Sequence, residues 1–336
     1  MTSLNPKIDI KTSPLDQLQA ELALDMKAVN SLILDHMQSD VPLIPHLASY
    51  LIASGGKRIR PLLTLAVTKL CGGNMERAHL LAASVEFIHT ATLLHDDVVD
   101  DSVERRGKES ANVVFGNEAS VLVGDFLFSR AFQLMVSDGS LEVLRILSTA
   151  SAIISEGEVQ QLVTQSNLET TMEEYHSVIE GKTASLFAAA CEVGPVIAGK
   201  DADTTKALRD YGMALGMAFQ VADDVLDYDA DRQKLGKTIG DDFREGKITA
   251  PILFALEAAN EEEKEFWTRT LGARDQKDGD LEHAQALIHK HSALQKGLDL
   301  ADNFGQKAID TLSIIPNSPL KQTLIDLVHF SIHREY

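Results

Sequence analysis

The stretch FIHTATLLHDDVVDDSVERRG, from Phe87 to Gly107, runs a mostly apolar helix former into Asp96, Asp97, Asp100 and Asp101, with Arg105 and Arg106 directly behind. Positions three and four apart share a helix face, so Asp96, Asp97 and Asp100 are expected to project their carboxylates into one small volume. That crowding is unfavourable without cations, the more so because the apolar lead-in points to partial burial. A single such stretch is equally well a solvated acidic helix end. The chain repeats the pattern, however: YGMALGMAFQVADDVLDYDAD presents Asp223, Asp224 and Asp227 behind the same apolar lead-in.

Two tri-aspartate clusters facing one another across a helical bundle would form a strongly negative cage. Hard oxygen donors suit Mg²⁺, which keeps several waters and is completed by substrate phosphates. Cations stand nearby in sequence. Lys57 and Arg60 follow Gly55-Gly56, Arg105 and Arg106 follow the first cluster, Lys182 lies in Gly181-Lys182-Thr183, and Lys237 and Lys247 follow the second cluster. Taken singly, the GGKRIRP turn is also an ordinary basic helix C-terminus, and the GKT at 181 an ordinary surface kink. Together they suit an anion bound through both metal and cations. Apolar helices below the charged mouth would hold a hydrocarbon tail. Metal-assisted loss of diphosphate leaves an allylic cation that an alkene can attack. No side chain is an evident base, so the released diphosphate is expected to take the proton.

These residues need long helices to position them, and the composition supplies them. No proline falls between Pro61 and Pro195, and runs of alternating apolar and polar residues are scarce. Ser13-Pro14 starts a first helix to about residue 38. Further helices are expected after Pro42 and Pro45, over 62–70, from 76 through the first cluster, over 118–136, 140–165, 171–192 with a bend at 181–183, from 208 through the second cluster, and over 251–271, 281–313 and 319–334. The segment 236–251 reads as a ligand-covering loop and 272–280 as an exposed connection. The expectation is one all-α domain over 1–336, a single large helical bundle, with 1–12 flexible. A net charge of −19 argues against nucleic-acid binding. Cys71 and Cys191 read as free buried thiols of a reducing compartment. The N-terminus does not resemble a secretory signal and no apolar run approaches a membrane span, so the chain is expected to be soluble and cytoplasmic.

The motifs GGKRIRP, HTATLLHDDVVD with RRG, GKTASL, FQVADDVLD and GKTIGDDFREGKITAP occur in that order from residue 55 to 251. In this they resemble the trans-isoprenyl diphosphate synthases, most closely the long-chain polyprenyl diphosphate synthases of the octaprenyl and decaprenyl type that make quinone side chains. The resemblance implies a helical bundle of the isoprenoid synthase type around a central apolar cavity, in a homodimer. It implies two or three Mg²⁺ ions bound with substrate diphosphate, Asp96 and Asp100 as first ligands assisted by Asp97, and Asp223 with Asp227 as second ligands supported by Asp224. Lys57, Arg60, His89 and Arg106 resemble the isopentenyl diphosphate site; Arg105, Lys182, Thr183, Gln220, Lys237 and Lys247 resemble the allylic diphosphate site. The implied reaction is successive head-to-tail trans condensation of isopentenyl diphosphate onto a geranyl- or farnesyl-type starter, with a transient membrane contact for product release and the ubiquinone side chain as destination.

In that family bulky side chains four and five residues before the first aspartate stop short products. Thr92 and Ala91 stand there, roughly 6 to 7.5 Å back along the helix. Small residues predict an open shaft and a long product, with the floor deeper, at Phe132 or Met135.

Rival functions account for less. Glu86 to His89 and Glu173 to His176 have the Glu-x-x-His spacing of a di-iron bundle, which explains none of the other motifs. The GKT triplets lack the glycine a phosphate loop needs, His176 and Asp231 standing in its place. A terpene cyclase needs no second diphosphate site, and non-catalytic subunits of heteromeric synthases usually lose aspartates that are all present here.

Overall fold

A computed structural model of the chain describes residues 13–53, 55–105, 107–229 and 239–333. The fold is all-α, as the composition and periodicity predict. The first helix is secured by a capping box, in which Ser13 and Asp16 satisfy each other's backbone N–H groups, with Pro14 in the first turn. It breaks at Leu22, so α1 (Pro14–Glu21) and α2 (Ala23–His36) replace the single helix expected. The apolar stripe Leu15, Leu18, Leu22, Val29 and Ile33 is buried as one surface regardless.

There follow α3 (Leu43–Ala53), α4 (Ile59–Leu70) and α5 (Met75–Val99), the last capped by Asn74, whose side chain accepts from the Arg77 N–H. No strand was expected, yet a short antiparallel hairpin forms after the first aspartate motif, β1 (Glu104–Arg105) against β2 (Lys108–Glu109), with Gly107 at φ 75°. Next come α6 (Ala111–Phe115), α7 (Asn117–Asp138), α8 (Leu141–Thr164), α9 (Met172–Ile179), α10 (Ser185–Ile197) and α11 (Ala202–Asp227). Between α9 and α10 the expected bend is a π-helical turn, Glu180–Ala184, closed by the Ser185 N–H on the Glu180 carbonyl. Two glycines allow that turn to press against α8: a methyl on Gly181 would lie 2.9 Å from the Gly157 Cα, and one on Gly157 would lie 2.6 Å from the Lys182 nitrogen.

The C-terminal third is more broken than periodicity suggests. A short helix, Asp241–Glu245, occupies part of the expected covering loop. The expected 251–271 helix splits into Ala250–Glu257 and Glu261–Trp267, and 281–313 splits into Asp280–Lys290 and Ala293–Thr311 at Ser292, which has φ 53°. Helix Pro319–Ile332 closes the described chain.

The main core lies where α4, α5, α7, α10, α11 and Ala293–Thr311 pack on one another. A second apolar cluster surrounds the fully buried Trp267. Cys71 and Cys191 are free and buried. Contrary to the sequence expectation, α7 is long and apolar enough to cross a membrane by length and composition. It packs mainly against α5, burying Val123, Leu127, Ala131, Leu134 and Met135, and leaves Val121, Leu122, Phe132 and Val136 exposed.

Candidate active site

A cleft of about 590 Å³ opens between α5 and α11. Helix α5 lines it with His89, Thr92, Leu93, Asp96 and Asp100, and α11 with Phe219, Gln220, Asp223, Asp224, Leu226 and Asp227. The spacing of three and four keeps each set on one face. The hairpin adds Arg105, the π-turn adds Lys182 and Thr183, and the 241–247 segment adds Asp241, Asp242, Glu245 and Lys247. Both acidic motifs and most of the sequence-selected cations therefore meet in one place.

On α5, Asp96 lies 3.8 Å from the Lys182 ammonium and Asp100 3.0 Å from that of Lys247. Burial pushes the Asp96 carboxyl up, Lys182 pulls it down, and the charge on Asp100 adds to the rise. Asp97 does not share the cleft, contrary to expectation. One residue is about 100° of helix rotation, and Asp97 is turned into the protein at 1% exposure, where the Arg105 Nε and Nη2 both sit 2.6 Å from its Oδ1. Burial raises its carboxyl too, against the pull of Arg105.

On α11, Asp223 is exposed to the cleft. Asp224 is buried, accepting from the Tyr175 hydroxyl at 2.6 Å and from Gln220 Nε2 at 2.8 Å. Gln220 in turn accepts from the Thr183 hydroxyl at 2.7 Å, which ties α11 to the π-turn. Burial pushes the Asp224 carboxyl up to about 7. Asp227 accepts the backbone N–H groups of Gly240, Asp241 and Asp242 at 3.1, 3.2 and 3.0 Å, which anchors the start of Asp241–Glu245; burial still pushes it up to about 6. Burial opposes the charge on Lys247, yet Asp242, Asp100 and Glu245 hold its ammonium above the usual range.

Among the expected substrate cations, Arg60 lines the cleft, with its guanidinium 4.4 Å over the Phe187 ring and its Nη1 3.2 Å from His89 Nε2. Lys182 donates to Glu158 at 2.8 Å, and burial pushes the Glu158 carboxyl up to about 7. Lys57 does not line the cleft; its ammonium lies 5.9 Å over the Phe330 ring. Arg106 and Lys237 lie outside the described residues, as do 1–12 and the rest of the second GKT. Of the four chain-length positions, only Thr92 lines this cleft. Ala91 and Met135 are core residues at 0% and 1% exposure, and Phe132 is 37% exposed, edge-on to Phe128.

The di-iron alternative has no support in this geometry. Glu86 is paired with Arg58, and His176 packs edge-on to Phe304 at 5.4 Å, its pKa lowered by burial. Among the described residues no three His, Cys, Asp or Glu side chains converge closely enough to hold a metal unaided. The cleft fits Mg²⁺ nonetheless. Its donors are hard carboxylate oxygens, several raised by burial and by one another, as suits a cation that keeps waters and takes its remaining ligands from phosphate.

Sequence reasoning missed Glu158, Tyr175 and Phe187. Glu158 carried a weak signal, a Gly-Glu pair inside the apolar face of a helix; Tyr175 and Phe187 carried none. Asp242 was visible in GDDFREGK, without a role.

The polyprenyl synthetase family model matches residues 41–288. The chain is 44% identical over 322 residues to octaprenyl diphosphate synthase of Haemophilus influenzae, covering 96% of this chain and 98% of that protein. The crystal structure of a decaprenyl diphosphate synthase from Rhodobacter capsulatus superposes with a TM-score of 0.92 at 51% identity, covering 96% of this chain and 99% of that one. A polyprenyl synthase from Caulobacter crescentus, crystallised with calcium and isoprenyl diphosphate, does so with a TM-score of 0.92 at 50% identity over the same shares. A match of this extent, on a helical fold whose two aspartate motifs line one cleft, means that the chain belongs to the polyprenyl synthetase family.

Proposed function

We propose that the protein elongates an allylic diphosphate of the geranyl or farnesyl type by successive trans condensations with isopentenyl diphosphate, giving a long-chain polyprenyl diphosphate. One observation carries this reading: Asp96, Asp100, Asp223 and Asp227, with Arg60, Arg105, Lys182 and Lys247, line a single cleft. Asp96, Asp100, Asp223 and Asp227 would hold two or three Mg²⁺ ions together with the substrate diphosphate. Bound there, Mg²⁺ neutralises the charge of the departing diphosphate. Lys182, Thr183, Gln220, Arg105, Lys247 and, outside the described residues, Lys237 bind the allylic diphosphate; Arg60, His89 and Arg106 hold isopentenyl diphosphate, with Lys57 behind them.

The allylic C–O bond breaks with its electron pair leaving on diphosphate. The double bond of isopentenyl diphosphate attacks the cation to form the new C–C bond, and the proton lost from the adduct goes to the released diphosphate. Calcium with isoprenyl diphosphate in the Caulobacter relative supports a hard divalent cation beside this ligand.

The exposed apolar faces of α7 and α8, including Leu122, Phe132, Val136, Val159 and Leu162, support a homodimer in which a second copy covers them. The protein acts in the cytoplasm as a single domain, meets the membrane transiently on product release, and supplies the ubiquinone side chain. Incubation with farnesyl diphosphate, labelled isopentenyl diphosphate and Mg²⁺, followed by chromatography of the dephosphorylated products, tests the activity. The expected result is a ladder ending at a long product, and no Mg²⁺-dependent elongation would refute it.

A further inference from the structure

Glu86 and His89, three residues apart on α5, both meet the GGKRIRP turn. His89 Nε2 lies 3.2 Å from Arg60 Nη1, and Glu86, one helical turn earlier, receives Arg58 Nη1 on its Oε1. Two arginines of one turn are therefore docked on one face of α5. The two contacts look into different spaces. Arg60 and His89 line the cleft, whereas Arg58 and Glu86 line a separate crevice of about 40 Å³ with Phe87 and Thr90, and Glu86 is 6% exposed. Arg58 is also the strained member of the turn, with φ 52° and ψ 36° at the N-cap of α4. A left-handed backbone is unfavourable for arginine, and an N-cap residue is ordinarily extended.

From this geometry we infer that Glu86 is a positioning residue of the isopentenyl diphosphate site: through Arg58 it holds the GGKRIRP turn in its left-handed step, and that step sets Arg60 against His89 in the cleft. The physical ground is the burial of the pair. Relaxing Arg58 to an extended backbone would carry its guanidinium away and leave the Glu86 carboxylate buried without it, which costs more than the strain the relaxation would relieve. Arg60 lies only two residues on, in the first turn of α4, so a changed φ at Arg58 re-aims it directly. Its guanidinium has little latitude, since it stacks 4.4 Å over the Phe187 ring while it reaches His89. Glu86 does not line the cleft, so its influence on the substrate passes through the turn. The inference rests on the reading of Arg60 and His89 as isopentenyl diphosphate-binding groups.

A double-mutant cycle of Glu86→Gln with Arg58→Gln tests it, with KM measured separately for isopentenyl diphosphate and for farnesyl diphosphate. Loss of the charge-assisted contact should raise KM for isopentenyl diphosphate about tenfold in each single variant and leave that for farnesyl diphosphate within about twofold. In the Arg58→Gln background Glu86→Gln should add nothing further. Glycine adopts a left-handed backbone without strain, so Glu86→Gln with Arg58→Gly should show a lower KM for isopentenyl diphosphate than Glu86→Gln with Arg58→Gln. Additive effects, or no gain from the glycine, would overturn the positioning role. Equal rises in both KM values beside a lowered Tm would overturn it too, by marking a merely structural pair. Arg60→Gln separates the inference from the reading beneath it. If Arg60→Gln raises KM for isopentenyl diphosphate and Glu86→Gln does not, the inference alone is lost; if Arg60→Gln does not raise it, both are lost. Glu86→Asp, which keeps the charge on a shorter arm, serves if Glu86→Gln does not fold; it should raise the same KM and spare the other, and a rise in neither or in both would overturn the inference.

Discussion

At the scale of single residues, the cleft trades stability for charge. The Asp96 carboxyl is pushed up by burial, with Asp100 opposing it, so the metal-free protein carries a group it would be more stable without. Asp96→Asn should lower kcat about 10²- to 10³-fold and leave the Tm measured without Mg²⁺ unchanged or higher. Thr92, whose hydroxyl donates to the His89 carbonyl, is the chain-length position that lines the cleft. Thr92→Phe should therefore truncate the product ladder while leaving the first condensation intact, as read by chromatography of dephosphorylated products. Residue types and order were legible: His89, Asp96 and Asp100 on one face of α5, and Gln220 and Asp223 on one face of α11. Orientation one residue further on was not. Asp97 differs from Asp96 by a single step of rotation and is taken up by Arg105 from another element, while Asp224 stays at the cleft wall with its oxygens held by Tyr175 and Gln220. Lys57 does not line the cleft, and its neighbour Arg58 takes a left-handed backbone, φ 52°.

Among elements, the π-turn is the most sensitive. Gly181→Ala would set a methyl 2.9 Å from the Gly157 Cα, so the two helices must separate. Overpacking of this kind costs about 1–3 kcal/mol. Urea unfolding should show that loss, and elongation should weaken because Lys182 and Thr183 move with the turn. Glycines at 157 and 181 lie 24 positions apart in sequence, and nothing local announces that they touch. In the C-terminal third, Glu263 joins Glu261–Trp267 to the end of Asp280–Lys290 through Lys290 and to His291 beyond it. The Lys290 ammonium leads the effects that hold its carboxyl down at about 2, below the ~4.3 of an unfolded glutamate. Its contribution is complete above about pH 4.3 and is lost as the pH falls toward 2. Glu263→Gln should accordingly lower stability at pH 7 and flatten the pH dependence of urea unfolding between those limits. Breaks at Ser292 and after Glu257 were not foreseen, since apolar periodicity runs through both.

For the whole molecule, the exposed face of α7 sets the open question of assembly. Leu122 is 66% exposed and Val136 64%, more than a solitary enzyme has reason to present together on one helix. Leu122→Glu with Val136→Glu should convert a dimer into monomers by sedimentation velocity; a wild-type protein that already sediments as a monomer would refute the assembly. The helical class was readable because proline-free stretches with apolar periodicity admit little else. The hairpin at Arg105 was not, being too short to leave a pattern.

The π-helical turn at Glu180–Ala184 carries one further consequence. Such a turn holds a residue more than a regular helix of the same height. The chain there is locally overlong by one position, and the surplus is what swings Lys182 and Thr183 out of the α9–α10 line. Deleting one residue would heal the helix into an unbroken rod, better bonded along its axis, with its phase shifted and its lysine facing elsewhere. An indel of a single codon, invisible to any comparison of composition, would thus leave a helix of ordinary quality and a cleft without one of its arms.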